Sequence, residues 1–186
     1  MFVKEANSPK IISWHQNLTH WGLDDAEEVT FWVAISEAPV EAGCMKFVPS
    51  SHKQRIVAHI DTFSENNLLS RGQEISVNVR EADAVHAALK VGQASMHHGH
   101  LFHASDPNTT YDRCIGTAIR CIKPAVRQED GTKSLFALVA GQDDYGHFEL
   151  AAPPKGRLHL DDFEICRQDA KRKDAILFKG SDASKM

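Results

Sequence analysis

The sequence lacks the features that would place it in a membrane, on a nucleic acid or in a disulfide scaffold. No apolar run approaches the roughly 20 residues of a membrane span, and the N-terminus shows no signal-peptide pattern. Lys and Arg number 21 against 25 Asp and Glu, so a net charge of −4 does not favour nucleic acid. The 4 cysteines are dispersed without a C-x-x-C pair, which argues against a zinc knuckle. We expect a cytoplasmic protein with neither nucleic acid nor membrane as partner.

What the chain has in abundance is histidine. It contains 11 histidines in 186 residues, and four of them (His97, His98, His100 and His103) fall within seven positions. Histidine is the commonest metal ligand, so this composition indicates a metal site or a proton-transfer site. The length and the ordinary hydrophobic content predict a single domain over 1–186 with a sizeable core.

The chemistry-bearing residues fall among predicted β-strands. Strands rich in β-branched and aromatic residues are predicted at 27–36, at 44–48 after a turn, at 95–103 as a pair or one bent strand, and at 112–124. In the first of these, Val29, Phe31, Val33 and Ile35 share one face. Helices are few: a short one is indicated over 80–89 and a longer one over about 161–178, with Phe163 and Ile165 near its apolar stripe. This pattern predicts a mainly β jelly-roll barrel.

Such a barrel can hold a metal through a His-x-Asp or His-x-Glu pair, because residues i and i+2 of a strand face the same side. Three pairs have this spelling: His59/Asp61, His147/Glu149 and His159/Asp161. A fourth, His15/Asn17, has an amide in place of the carboxylate. Residue types alone favour the first three pairs as metal ligands, because each has a carboxylate. Their surroundings weaken this interpretation, because His59 precedes a polar turn and Asp161 or Asp162 suits a helix N-cap.

A second cluster of candidates lies near the end of the β-rich region. His103 ends an apolar strand, and Arg113 begins the next, so a hairpin can bring both to one pocket. The planar guanidinium of Arg suits a dicarboxylate, although a structural ion pair is the alternative for Arg113. Of His97, His98 and His100, strand alternation predicts that at least one faces the cavity and that the others lie at the surface.

Seven segments, in this order, resemble bacterial members of the phytanoyl-CoA dioxygenase family over roughly residues 12 to 150. They are "WHQNLTHWGL", "VTFWVAIS", "AGCMKFVPSSHK", "NNLLSRGQEI", "SMHHGHLFHASDPN", "DRCIGTAIR" and "DDYGHFEL". The resemblance implies a double-stranded β-helix fold and an oxygenase dependent on Fe(II) and 2-oxoglutarate. Such an enzyme uses molecular oxygen to hydroxylate a small organic substrate, with succinate and CO2 as co-products.

The resemblance also assigns residues. It implies that His15, Asn17 and His103 stand at the iron ligands, and that Arg113, Ser105 and Trp32 bind 2-oxoglutarate. Gly43 matches a turn glycine of the family.

The chain departs from the family pattern at two points. Asn17 replaces the iron aspartate, so a catalytically weak or inactive jelly-roll fragment or binding protein is the alternative function. A cupin-like enzyme that uses another metal through the histidine cluster is a third. The iron motif begins only 15 residues into the chain, so we expect an N-terminal helical layer to be missing and a homo-oligomer to cover the exposed sheet.

Overall fold

The computed structural model describes residues 1–179. Its strands are β1 (Phe2–Lys4), β2 (Ile12–His15), β3 (Glu28–Ala34), β4 (Met45–Phe47), β5 (His59–Asp61), β6 (Gln73–Ile75), β7 (Val85–Ala87), β8 (Ala94–His98), β9 (His103–Ser105), β10 (Cys114–Ile122), β11 (Leu135–Phe136) and β12 (Glu149–Leu150). One α-helix, α1 (Leu160–Leu177), is found among these residues, where the sequence indicates a helix over about 161–178. The chain divides into two compact units, Met1–Thr19 with Glu28–Cys121 and His20–Glu27 with the residues from 122 onward. The expectation of one domain over 1–186 stays a prediction.

The first unit is built from two four-stranded antiparallel sheets. One has the order β1-β10-β3-β8 and the other the order β2-β9-β4-β7. Along the chain the strands alternate between these sheets, so that β2, β4 and β9 lie in one while β3, β8 and β10 lie in the other. This alternation is typical of a double-stranded β-helix. The predicted mainly β jelly-roll fold is therefore confirmed.

The connection after β3 shows how the chain passes between sheets. The sequence suggests that β3 turns back into β4, yet the two strands lie in different sheets and do not pair. A 3₁₀ turn at Val40–Ala42 ends in Gly43, whose φ of 67° lies in the left-handed region. That conformation costs a glycine little, and it redirects the chain toward the second sheet. The segment 95–103 likewise separates into β8 in one sheet and β9 in the other.

The helix expected over 80–89 does not form. Residues Glu81–Asp83 make a single 3₁₀ turn, and β7 then pairs with β4 at the edge of the second sheet. Pairing with a neighbouring strand outweighs the weak helix preference of this alanine-containing segment.

The orientation of β3 is the reverse of the one suggested by its apolar pattern. Its buried positions are Glu28, Thr30, Trp32 and Ala34, whereas Val29, Phe31 and Val33 are half-buried on the other side. Beyond the strand, Ile35 is 48% exposed. The inner face of this sheet lines a cavity. A cavity wall accommodates polar side chains, whereas a packed apolar core excludes them. Met96 and Ile119 of the neighbouring strands are also exposed.

The second unit contains β11, β12 and α1. β11 and β12 pair in parallel, and Asp169 of α1 accepts a hydrogen bond from the backbone N–H of Leu135 at 2.7 Å. Asp169 is the buried residue of this helix, while Phe163 and Ile165 of the predicted apolar stripe are exposed. No helix within residues 1–179 combines the length and apolar character needed to cross a membrane.

Candidate functional site

A cavity of about 700 Å³, measured with its open mouth, lies between the two sheets of the first unit. Polar side chains converge on the cavity from both sheets, and apolar side chains form the rest of its wall. The polar lining comprises Lys4, His15, Asn17, Thr30, His97, His103, Ser105 and Arg120. Its apolar wall includes Phe2, Ile12, Trp32, Met45, Leu68 and Leu69.

Two histidines face each other across the second sheet. His15 ends β2 and lies directly opposite His103, the first residue of β9, with the two ring centroids 4.0 Å apart. Nδ1 of His15 lies 2.9 Å from the carbonyl oxygen of Ser13, and Nδ1 of His103 lies 2.7 Å from that of Leu101. A carbonyl can only accept, so each Nδ1 carries the proton and each Nε2 keeps its lone pair. Both rings thus have the tautomer required of a metal ligand.

Burial keeps these rings neutral. It lowers the pKa of His15 well below its ordinary value, and the neighbouring His103 lowers it further. The pKa of His103 falls to about 3 for the same reason, with His97 as the next cause. A neutral imidazole at physiological pH binds a cation without first releasing a proton.

Asn17 also lines the cavity, but the backbone changes before it. β2 ends at His15, and Asn17 begins a 3₁₀ turn over Asn17–His20. Its Nδ2 donates to Oγ1 of Thr30 at 3.2 Å, and that hydroxyl in turn donates to the carboxylate of Glu28. Because the Thr30 hydroxyl donates its one proton to Glu28, its oxygen can only accept the hydrogen bond from Nδ2 of Asn17. The amide oxygen of Asn17 is therefore not engaged with Thr30.

Glu28, whose carboxylate accepts the hydrogen bond from Thr30, is 5% exposed. Burial raises its pKa, while the hydrogen bond from Thr30 and the charge of Arg120 oppose that rise. Its Oε2 has no hydrogen-bond partner within residues 1–179.

Of His97, His98 and His100, His97 is the one that lines the cavity. It lies on β8, with its ring 4.9 Å from that of His103 and 5.0 Å from that of Phe47. Neither of its ring nitrogens has a hydrogen-bond partner among the described residues, and burial lowers its pKa to about 4. The alternation along β8 thus places one histidine inside, as the sequence indicates.

The three residues expected to bind a dicarboxylate are not brought together. Ser105 and Trp32 both line the cavity and are buried. Arg113 lies outside it, 59% exposed, with Nε 2.9 Å from a carboxylate oxygen of Glu5. Cys114, the first residue of β10, faces inward, so its neighbour Arg113 must face outward. The structural ion pair, which the sequence left as the alternative, is the one that forms.

Sequence reasoning missed two cavity cations, Lys4 and Arg120. Arg120 shares its face of β10 with Cys114, Gly116 and Ala118, so strand alternation identifies it only once the inner face of β10 is known. Burial lowers its pKa, and Glu28 opposes that effect. Lys4 lies on β1, opposite Cys114 in the register. No local pattern marks it, because it enters the cavity only through the pairing of β1 with β10.

The three pairs with a proper carboxylate serve other purposes. Asp61 is bound to buried Arg71, with Nε at 3.0 Å. Glu149 pairs with Arg172 at 2.8 Å. His159 is the N-cap residue of α1 and accepts from the backbone N–H of Asp161 at 3.3 Å.

The candidate donors at the cavity are therefore the Nε2 atoms of His15 and His103, with the amide of Asn17 in the same lining. Within the described part of the chain, no three side chains of His, Cys, Asp or Glu are placed to hold one metal ion. Two neutral imidazoles and a carbonyl-type oxygen still fit Fe(II), with less negative charge than a carboxylate gives.

Comparison with known proteins identifies relatives of this site and fold. The model of the phytanoyl-CoA dioxygenase (PhyH) family matches residues 1–114, which starts and ends earlier than the resemblance noted over 12–150. A curated relative from Caenorhabditis elegans, the phytanoyl-CoA dioxygenase domain-containing protein 1 homolog, is 31% identical over 117 residues. That match covers 55% of this chain and 38% of the relative. The chain thus spans well under half of the curated relatives' length.

Among solved structures, the apo form of the non-heme monooxygenase ThoJ is similar, with a TM-score of 0.83 and 29% identity. The match covers 96% of this chain and 64% of that one. The ThoJ–Ni complex matches with a TM-score of 0.74 and 26% identity, and the match covers 96% of this chain and 63% of that one. EvdO2 from Micromonospora carbonacea var. aurantiaca, complexed with 2-oxoglutarate, shares the fold at a TM-score of 0.54 and 23% identity, over 63% of this chain and 47% of that one. The chain belongs to the phytanoyl-CoA dioxygenase family.

Proposed function

We propose that this protein is an Fe(II)- and 2-oxoglutarate-dependent oxygenase that hydroxylates a small organic substrate. The observation that carries the proposal is the facing pair His15 and His103, with both Nδ1 atoms bound to carbonyl oxygens and both Nε2 lone pairs left for a metal. Membership of the family supports it, as do the nickel complex of one similar structure and the 2-oxoglutarate complex of another.

His15 and His103 would hold the metal, and the amide oxygen of Asn17 would lie beside it. When bound, Fe(II) with 2-oxoglutarate supplies the oxidising power that converts a C–H bond to C–OH, with succinate and CO2 as co-products. The polypeptide keeps both imidazoles neutral by burial and excludes water with its apolar wall, including Met45 and Leu68. Specificity for the organic substrate belongs to the loops around the mouth, and the fold alone does not define it.

The experiment that tests the proposal is an anaerobic titration with Fe(II) and 2-oxoglutarate, followed by the metal-to-ligand charge-transfer absorption. The wild-type protein is expected to develop the band, and His103→Ala is expected to lose it. The matched control is His86→Ala, because His86 is exposed on the edge strand β7 and does not line the cavity. An unchanged band in His103→Ala would refute the site.

A binding protein without efficient chemistry is the second candidate function. The specific observation in its favour is the neutral amide of Asn17, since a missing anionic ligand weakens the hold on Fe(II). If the wild-type protein gives no band while Asn17→Asp does, the degenerate site is the correct description. A band in the wild-type protein, followed by succinate formation under oxygen, would exclude it.

A further inference from the structure

Lys4 is a buried cation without an acidic partner. Its side chain lines the cavity and the residue is 6% exposed. Nζ donates to Oγ of Ser105 and to the backbone carbonyl of Asp106, and both acceptors are neutral. Within residues 1–179 no carboxylate lies within ion-pairing distance of Nζ: the Asp106 carboxylate pairs instead with Lys46 at 2.7 Å. An ammonium group has three donors, so one remains for a further acceptor.

A buried charge without a counter-ion is costly, and an anionic ligand would relieve that cost. The cost is visible in the pKa of Lys4, which burial lowers to about 8. Arg120, the other cation of the cavity, differs in this respect because the carboxylate of Glu28 acts on it. The two cations also lie at opposite ends of the barrel. Lys4 is paired with Cys114, six residues before Arg120, which is roughly 20 Å along β10.

The position of Lys4 relative to the histidines suggests the class of anion. Ser105 follows His103 by two residues on β9, and both are buried, so they face the cavity roughly 7 Å apart. A group held by Lys4 beside Ser105 is therefore separated from the two imidazoles by about the length of a short dicarboxylic acid. Trp32 lines the same cavity and adds an apolar surface against which methylene groups can pack.

We propose that Lys4, positioned by its hydrogen bond to the Ser105 hydroxyl, binds the far carboxylate of the 2-oxo dicarboxylate co-substrate, in the role that sequence resemblance gave to Arg113. The inference rests on the proposed function, since that function supplies the co-substrate. The Ser105 hydroxyl donates to the carbonyl of Gly43 at 2.6 Å and is thereby fixed. A β-carbon at Gly43 would collide with the backbone carbonyl of Asp106 and would also lie 2.9 Å from Nζ of Lys4.

The test compares two ligands that differ only in the far carboxylate, 2-oxoglutarate and 2-oxopentanoate. Their affinities are measured by calorimetry without oxygen, with Ni(II) as a redox-inert metal. The wild-type protein is expected to prefer 2-oxoglutarate by roughly 10- to 100-fold, as one charge-assisted hydrogen bond predicts. Lys4→Met should bring that ratio close to one, whereas Lys4→Arg should keep much of it. Arg113→Met is the matched control, and its ratio should equal that of the wild type.

If Lys4→Met does not fold, wild-type protein with ¹⁵N-labelled lysine side chains serves instead. Glutarate, which lacks the keto group and needs no metal, is expected to shift the Lys4 ammonium resonance and to leave those of exposed lysines in place. An unshifted Lys4 resonance at saturating glutarate would overturn the inference, and so would loss of the preference in Arg113→Met alone.

These outcomes test two things separately: the anchor, meaning the binding of the far carboxylate by Lys4, and the proposed oxygenase activity. Glutarate binding that depends on Lys4, in a protein that forms no charge-transfer band with Fe(II) and 2-oxoglutarate, would support the anchor and reject the oxygenase. A normal band whose dependence on 2-oxoglutarate concentration is the same in Lys4→Met would reject the anchor and retain the oxygenase.

Discussion

The contact between Gly116 and Trp32 yields a prediction that can be worked out from distances. Gly116 is buried on β10, and Trp32 lies on the adjacent strand β3, both facing the cavity. A β-carbon at position 116 would lie 2.6 Å from Cη2 of the indole and closer still to Cζ2 and Cε2, against 3.4–4 Å for an ordinary contact. Replacement by alanine therefore forces the indole ring to move.

The ring has little space in which to move. Trp32 packs in a cluster of buried residues with Ala34, Cys44 and Cys114, so its displacement disturbs both strands and the cavity wall. Overpacking of a core costs about 1–3 kcal/mol, and we expect Gly116→Ala to lie at the upper end, about 3 kcal/mol. For a chain of this size that corresponds to a fall of roughly 10 °C in the midpoint of thermal unfolding.

Circular dichroism during heating measures that fall, and a double-mutant cycle tests its cause. In a Trp32→Leu background the ring is absent, so Gly116→Ala should cost less, with a coupling energy of about 2 kcal/mol. Gly156→Ala is the matched control, because no heavy atom lies within 4 Å of a β-carbon there. An equal cost of Gly116→Ala with and without the indole would refute the reasoning.

Four further predictions concern charge and assembly. Asn17→Asp is expected to tighten Ni(II) binding at least tenfold by calorimetry, because it adds an anionic ligand; unchanged affinity would show that position 17 is not at the metal. Lys4→Met should raise the unfolding midpoint of the ligand-free protein at pH 7. The depressed pKa of about 8 costs the folded state about 3 kcal/mol while Lys4 is charged, and the lost hydrogen bonds offset only part of it. That advantage should fade as the pH rises from about 8 toward 10.5, where the wild-type ammonium is neutral in both states, and a constant difference would count against this cause. Asp61→Asn should lower stability by about 3–5 kcal/mol in urea titrations, because it removes the carboxylate charge that faces the buried guanidinium of Arg71, and a neutral result would contradict the ion pair. Light scattering is expected to show a homo-oligomer that covers the exposed apolar side chains of the β1-β10-β3-β8 sheet, and a stable monomer would argue against it.

Much of the site was predictable because its signals are local. His15 and His103 lie in segments whose family resemblance is clear, and the structure places them opposite each other. The strand alternation that predicts at least one of His97, His98 and His100 in the cavity is also a local property. Arg113 shows the limit of such reasoning. Its spacing from His103 suited a pocket residue, but spacing cannot tell which face of β10 is the inner one.

The same limit explains the other differences. β3 carries apolar residues on one face and mixed residues on the other, and propensity favours burying the apolar face. The sheet instead buries Glu28 and Thr30, on the face that lines the cavity rather than a wholly apolar core. In the 80–89 segment, pairing of β7 with β4 decided against a helix, and that partner lies 40 residues earlier in the chain.

By itself, the sequence determined the family, the mainly β jelly-roll class and the two histidines of the candidate site, since each depends on residue identity and short-range order. Tertiary structure alone decided which cations face the cavity. Arg113 is outside with Glu5, whereas Lys4 is inside with Ser105 because β1 pairs with β10 more than 100 residues away. Strand pairing over such separations follows from the burial of whole sheets, and no local pattern records it.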